Sequence, residues 1–468
     1  MLPINAFSIE NFKSFGPKQR IPLERVNFIF GPNSGGKSSV LIAFGILMKA
    51  LIKKKFNLDW IEFSDNSPKL FLGDNLINEL SSTNFFKIAC EHIIKRPSGD
   101  YTVEYSFELF DINDKGLKKF EVIDKMNNNL IYSIDQDCIK ISATHPLFKN
   151  ALEPFLEEGY LDLNQDGLVY INDYGTDLNN LNLKYEITVD EFLQKIDNHE
   201  SLKNANLVKL TDKIIEFFYH EFFSYDIANW DFIENKNKET LHWIGSNRLV
   251  YDKSYTIVGK EAFIMDHLLN KNSVDEMNKW LRASDSIDLE YDFYFDTDEI
   301  NTRGRIEKLK HFGVIENKTS KFLKFDEVGS GISNIYQILL PFFNEVNFLI
   351  IQLPENHLHP SLQVQLARSI FALSKERNIE IMIETHSEHF IKAAQLEIAR
   401  GLQVNDPTLT NDDLSVLYVS KGDDGFSKVK QMEVDKTGAF TEPWPDDFFE
   451  LSADLSLERL RQSYKSKN

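Results

Sequence analysis

The stretch Val26-Asn27-Phe28-Ile29-Phe30-Gly31-Pro32-Asn33-Ser34-Gly35-Gly36-Lys37-Ser38-Ser39 decides how the chain is read. VNFIF reads as a short buried strand. Residues 31–36 follow as a loop with little side-chain bulk. Lys37, Ser38 and Ser39 then open an apolar helix, VLIAFGILMKALI, which closes on Lys53-Lys54-Lys55, three cations suited to the negative end of a helix. A strand, a glycine loop and a helix N-terminus in this order make an anion site, because backbone N–H groups and the positive helix end face the phosphates. In such a loop Lys37 reaches the β- and γ-phosphates and the Ser38 hydroxyl ligates Mg²⁺. ATP with Mg²⁺ is the expected ligand, with Asn33, Ser34, Gly35, Gly36 and Ser39 completing the loop. A glycine turn that matches by chance is the bland alternative, and the flanking strand and helix weigh against it.

A second set of features lies between residues 325 and 390. Phe325-Asp326-Glu327-Val328-Gly329-Ser330-Gly331-Ile332-Ser333 is a glycine-serine turn feeding a helix, ISNIYQILLPFF, and so offers another helix N-terminus to a phosphate. Asn347-Phe348-Leu349-Ile350-Ile351 is a continuous apolar run, the mark of a strand buried on both faces. It ends in Gln352-Leu353-Pro354-Glu355-Asn356-His357-Leu358-His359-Pro360. After a further helix, Ile379-Glu380-Ile381-Met382-Ile383 is a second buried strand, ending in Glu384-Thr385-His386-Ser387.

With these motifs and Asn11-Phe12-Lys13-Ser14-Phe15 near the start, the chain resembles ABC-type ATPases of the RecF/SMC/Rad50 and OLD branch. More narrowly it is similar to small bacterial AAA-type ATPases with N-F-K-S-F and P-E-x-H-L-H-P segments. The terminal Trp444-Pro445-Asp446-Asp447-Phe448-Phe449-Glu450 is similar to the segment that ends one subgroup of them. The resemblance implies an α/β fold: an ABC-type P-loop ATPase head, with a mixed sheet and a flanking antiparallel β-subdomain. It implies that Lys13 and Ser14 lie near the nucleotide. It implies that Gly329, Ser330, Gly331 and Ser333 form a signature loop contacting the γ-phosphate bound by a second subunit. Glu355 falls at the acidic position after the Walker B strand, and His386 matches the switch histidine that senses the γ-phosphate and attacking water. Two heads would pair head-to-tail as a homodimer or higher oligomer, which agrees with the need to surround a transferred phosphoryl group with donors.

The chain departs from the pattern where the Walker B strand usually ends in acidic residues. Gln352 and Leu353 stand there. Gln352 is a neutral, weaker partner for Mg²⁺ and its waters, and Leu353 can neither orient nor deprotonate water. Two readings stand: Glu355 orients the water, or hydrolysis is slow and binding itself is the signal. His357 and His359 have the spacing of metal ligands, but no third ligand is evident and structural roles are the commoner reading.

Four regions follow. Residues 1–145 are expected to hold the phosphate loop and a β-meander, in which TVEYSFELF, KKFEVI and LIYSI alternate around turns such as Asn127-Asn128-Asn129. Residues 146–320 read as a compact insertion, a β-hairpin and then mainly helix, in place of a long coiled coil, since no heptads are sustained. Asp162-Leu163-Asn164-Gln165-Asp166-Gly167, with Asp173, matches a calcium loop by spacing, yet its strand-like flanks and Asp-Gly pair favour a hairpin. Residues 321–400 form the second half of the head, and 401–468 a strand pair and an acidic aromatic tail. Arg248, after Leu241-His242-Trp243-Ile244-Gly245, suits a phosphate, a partner's carboxylate or a structural salt bridge equally, with Lys253 at a further basic position.

The 468 residues are 42% hydrophobic and 12% aromatic, with 37 Phe, enough for a large core in more than one lobe. The net charge of −20 argues against a generally basic, DNA-coating surface, though not against a local groove. Two cysteines, Cys90 and Cys138, exclude a disulfide framework. No apolar run suits a membrane span and no signal peptide is evident, so a cytoplasmic protein is expected. No Toprim-type nuclease is visible after His386. The expected function is a nucleotide-dependent switch controlling a separate, nuclease-like effector, as in phage defence. The alternatives are a DNA-binding repair or chromosome ATPase and a non-hydrolysing nucleotide scaffold.

Overall fold

The computed structural model describes residues 4–53, 76–78, 84–94, 101–110, 117–135, 138–142, 168–172, 241–246, 255–256, 271–284, 287, 289–302, 305–325 and 327–445. The chain begins with β1 (Ala6–Glu10), β2 (Gln19–Pro22), β3 (Val26–Phe30) and α1 (Lys37–Lys53). A run of strands follows: β4 (Phe85–Ile94), β5 (Tyr101–Phe110), β6 (Leu117–Asp124), β7 (Asn129–Asp135), β8 (Cys138–Ser142) and β9 (Leu168–Asn172). Then come β10 (Leu241–Ile244), β11 (Tyr255–Thr256), α2 (Lys271–Ala283), β12 (Tyr291–Thr302), β13 (Arg305–Glu316) and β14 (Phe322–Leu323). The last third holds α3 (Ser330–Leu339), β15 (Phe348–Gln352), α4 (Pro360–Arg377), β16 (Glu380–Glu384), α5 (Glu388–Gly401), β17 (Leu414–Lys421) and β18 (Ser427–Gln431).

Two sheets dominate this α/β fold. A mixed sheet runs β10-β15-β16-β3-β17-β18, parallel except for the β17–β18 hairpin. An antiparallel sheet runs β2-β1-β4-β5-β6-β7-β8-β9. The expected meander strands correspond to β5, β6 and β7, and Asn128 takes the left-handed conformation in their turn. A smaller sheet pairs β12 and β13 along their length, with β11 and β14 at its margins.

β3, β15 and β16 are buried at every position, because helices cover both faces of the mixed sheet. On one face, Val26, Phe28, Leu349, Ile351, Ile381 and Ile383 join the core formed with α2, α3, α4 and α5. On the other, α1 lies between the two sheets. Its Phe44 packs against Phe348 of the mixed sheet at 4.7 Å between ring centroids and against Phe7 of the antiparallel sheet at 5.1 Å. That position explains why α1 is apolar nearly all round. Burying a ring such as Phe44 completely contributes about 1.5–3 kcal/mol.

Local chemistry sets the element ends. The continuous helix expected for ISNIYQILLPFF stops at Leu339 and tightens into a 3-10 turn, Leu340–Phe343, because Pro341 has no N–H to continue the ladder. Asn378 closes α4 in the left-handed conformation. Trp444, the first residue of the terminal motif, packs edge-on to Phe30 at 6.0 Å and to Phe440 at 4.6 Å, while residues 446–450 lie outside the described residues. Leu168–Asn172 pairs with β8, whereas Asp162 to Gly167, Asp173 and the helices expected between about 180 and 225 lie outside the described residues. In the rest of 146–320, expected to be mainly helical, the described residues form one helix, α2, and the strands β10, β11, β12 and β13. Among the described residues no helix is long and apolar enough to cross a membrane.

Candidate nucleotide site

The phosphate loop leaves the C-terminal end of β3 and enters α1, the crevice position where parallel α/β sheets bind ligands. Its glycines are dictated by close approach. Gly31 has φ +142°, and a Cβ there would lie 1.9 Å from the carbonyl oxygen of Val419 on β17. Gly36 has φ +110°, and a Cβ there would lie 2.5 Å from Ser427 Oγ and 2.8 Å from Ser14 Oγ. The loop is thus wedged between the β17–β18 hairpin and the Asn11–Phe15 turn.

Ser427 ties these pieces together. Its hydroxyl donates to the Gly35 carbonyl at 2.7 Å, and its N–H donates to the Ser14 carbonyl at 2.8 Å. Ser14 Oγ is buried beside Gly36 and, among the described residues, has no hydrogen-bond partner. Lys13 takes φ +49° and is held through its backbone, its N–H donating to Leu76 and its carbonyl accepting from Asn78.

The Lys37 ammonium is buried and donates to the carbonyls of Gly31 at 3.0 Å and Pro32 at 2.9 Å. Burial holds its pKa below the usual lysine range, with the Glu384 charge opposing that shift. Asn33, Ser34 and Ser38 are exposed on the rim, and Ser39 is half-buried.

Beside the loop, the register Gln352↔Glu384 sets the ends of β15 and β16 side by side. Gln352 Nε2 donates to Glu384 Oε2 at 2.7 Å, and Gln352 Oε1 accepts from the Trp243 indole N–H at 3.0 Å. The indole is a donor only, which fixes the amide orientation and turns the Gln352 oxygen toward β10, away from the loop. On its other side Glu384 Oε1 accepts from Ser38 Oγ at 3.5 Å, the outer limit of a hydrogen bond. Leu353 takes φ +47°, and its N–H donates to the Glu384 carbonyl at 2.7 Å.

Glu355 is clamped to the end of β16. One carboxylate oxygen accepts from the Thr385 hydroxyl at 2.7 Å and the other from the His386 N–H at 2.7 Å. The His386 ring has its pKa lowered, first by burial and then by the Lys37 charge, with Glu355 and Glu384 opposing. His359 caps α4, its Nδ1 accepting from the Ser361 N–H at 3.3 Å, which is a structural use of that side chain.

Gly329 to Ser333 stand elsewhere. α3 packs on the turn after β15: a Cβ at Gly331 would lie 2.9 Å from the His357 carbonyl oxygen, and Asn334 Nδ2 donates to the Asn356 carbonyl at 2.7 Å. Ser333 is buried and donates to Ser330. Gly329 is exposed, with open space where a side chain would project.

Lys37, Ser38, Ser14, Gln352, Glu355 and His386 therefore meet around the carboxyl ends of β3, β15 and β16. Sequence reading left out Glu384, Trp243 and Ser427. Glu384 stood next to Thr385-His386, but only the strand order shows that it faces Ser38. Arg248 and Lys253 lie outside the described residues.

The family model described as "AAA ATPase domain" matches residues 3–391. No curated protein matches the chain in sequence. Among solved structures, an Smc head bound to the C-winged helix domain of ScpA has 10% identity, covering 92% of this chain and 98% of that one, with a TM-score of 0.41. An SMC head domain from Thermotoga maritima has 12% identity, covering 92% and 100%, with a TM-score of 0.35. An Smc head with an extended coiled coil from Pyrococcus furiosus has 13% identity, covering 98% and 99%, with a TM-score of 0.38. The match to the family model includes the phosphate loop, Gln352, Glu355 and His386, and with that the chain belongs to the AAA ATPase domain family and is an ATP-binding ATPase.

Proposed function

We propose that the chain is an ATP- and Mg²⁺-dependent switch that hydrolyses slowly, pairs head-to-tail and controls a separate nuclease-like effector in bacterial phage defence. The observation that carries the pairing is Gly329: it begins α3, it is exposed, and its Cα faces open space. The positive end of α3 is thereby presented outward, suited to the γ-phosphate held by a second copy. In that arrangement the loop 33–39 and Lys37 hold the triphosphate, Ser14 meets it at Gly36, and Gly329, Ser330, Gly331 and Ser333 close it from the other subunit.

Slow turnover fits the water-positioning side. Leu353 occupies the position where the family carries a second polar or acidic group. Glu355 is the nearest carboxylate after the strand, and it already accepts two hydrogen bonds. A carboxylate has about four acceptor sites, so Glu355 can still orient a water, but as a fixed acceptor. Neutral His386 can donate to the γ-phosphate from the same element.

Gly329→Arg tests the pairing, since among the described residues no atom lies within 4 Å of a Cβ placed there. With ATP and Mg²⁺, sedimentation is expected to show self-association of the wild type and none for Lys37→Ala or Gly329→Arg, with nucleotide binding kept by Gly329→Arg. Self-association of Gly329→Arg equal to wild type, or a wild type that stays monomeric with ATP, overturns the reading. Phage protection that needs this chain, Lys37 and a neighbouring gene together is the expected result for the switch. Salt-sensitive DNA binding by the isolated chain would favour the DNA-gripping alternative.

A further inference from the structure

The geometry points to Glu384, at the end of β16, as the carboxylate that holds the nucleotide's Mg²⁺ at this site, in place of an acid at position 352. The inference rests on ATP binding at the phosphate loop. The strand order places β16 between β15 and β3, so a side chain at the end of β16 is one strand nearer the phosphate loop than one at the end of β15. Gln352 and Glu384 are register partners. Moving the acid from the first to the second keeps a carboxylate at the same end of the sheet and brings it to the Ser38 hydroxyl.

Four observations support the exchange. Gln352 is turned the wrong way to ligate: its oxygen accepts from Trp243 and its amide donates to Glu384. Glu384 is aimed at Ser38, with its Oε1 3.5 Å from the Ser38 hydroxyl oxygen, so these two oxygens would together hold the cation. The donor set, a hydroxyl and a carboxylate beside phosphates, is the oxygen chemistry this cation selects. Glu384 is also buried, its hydrogen-bond partners are the neutral Gln352 amide and Ser38 hydroxyl, and among the described residues no cation stands in ion-pair contact with it. Lys37 stands near enough to feel the Glu384 charge but not in ion-pair contact with it, so the buried carboxylate is left to favour a cation brought by the ligand. Trp243 and Gln352 are positioning residues: indole to amide to carboxylate, they run across β10, β15 and β16 and set the Glu384 rotamer.

The test is fluorescent ATP-analogue binding to the full chain in Mg²⁺ and in EDTA. For the wild type, Mg²⁺ is expected to tighten binding. Glu384→Gln is expected to keep the EDTA affinity and to lose about tenfold or more of the Mg²⁺ enhancement. The double variant Glu384→Gln/Gln352→Asp is expected to regain part of it, which guards against a folding defect, as does an unchanged melting curve in EDTA. Full Mg²⁺ enhancement in Glu384→Gln overturns the assignment, as does a wild type whose binding ignores Mg²⁺. Absence of ATP binding by a folded wild type, in both buffers, overturns the phosphate-loop reading itself, and loss in both buffers in Lys37→Ala alone leaves that reading standing.

Discussion

The carboxylate of Glu355 accepts the backbone N–H of His386 at 2.7 Å and so ties the turn after β15 to the segment after β16. Removing the carboxylate frees His386 and Thr385 together. Glu355→Ala is expected to lower stability by about 1–3 kcal/mol, from two charge-assisted hydrogen bonds. ATP turnover is expected to fall at least about tenfold while nucleotide affinity changes little, since Glu355 makes no bond to the phosphate loop. Denaturant unfolding and steady-state turnover measure the two effects separately.

The His386 residue is exposed overall, yet its ring binds a proton less readily folded than unfolded, first because the protein around it displaces part of its water and then because Lys37 is near. Its neutral form therefore contributes stability fully above the ordinary imidazole value of about 6.5, and that contribution is lost as pH falls below it. In an NMR titration Lys37→Ala is expected to move the His386 midpoint up and Glu355→Gln to move it down, since each removes one of the opposing charges. No upward movement in Lys37→Ala would mean that Lys37 does not act on the ring.

Gly331 and Gly329 are expected to behave differently although they are two residues apart. A Cβ at Gly331 meets the His357 carbonyl at 2.9 Å, so Gly331→Ala has to push α3 off the turn after β15. A loss of about 1–3 kcal/mol is expected in the isolated monomer. Gly329→Ala meets no described atom within 4 Å and is expected to cost only the cap preference, about 0.5–1 kcal/mol. Thermal melts without nucleotide make the comparison.

Trp444 leans on Phe30, the residue immediately before the phosphate loop. Trp444→Ala is expected to destabilise the protein by about 1–2 kcal/mol, because the ring is only partly buried. It is also expected to weaken ATP binding several-fold, as Gly31 loses the packing behind it. Trp444→Phe retains an aromatic edge and should recover most of both.

Much of the site was legible because its parts are local. β3, β15 and β16 announce themselves as apolar runs, and the phosphate loop as glycine between a strand and a helix. What the sequence hid is long-range. A strand buried on both faces has no polar side from which to read its neighbours or their order. Glu384 was therefore visible as a residue but not as a neighbour of Ser38, and Gln352 could not be seen to face Trp243. The α3 boundary was missed for a local reason: Pro341 could have been read as the stop, but the apolar run through LLPFF resembles a continued helix.

β3 lies between β16 and β17, and the loop it carries is wedged by Val419 and Ser427. Both neighbours of β3, and the side chain that latches its loop, come from residues 380–427, far along the chain from the loop itself. A ribosome that has released only the first half of the polypeptide has exposed every residue of the phosphate loop and the Asn11–Phe15 turn, but not β16, β17 or the Ser427 latch. A chain cut short before residue 380 would lack β16, β17 and β18, and with them the packing around Gly31 and Gly35.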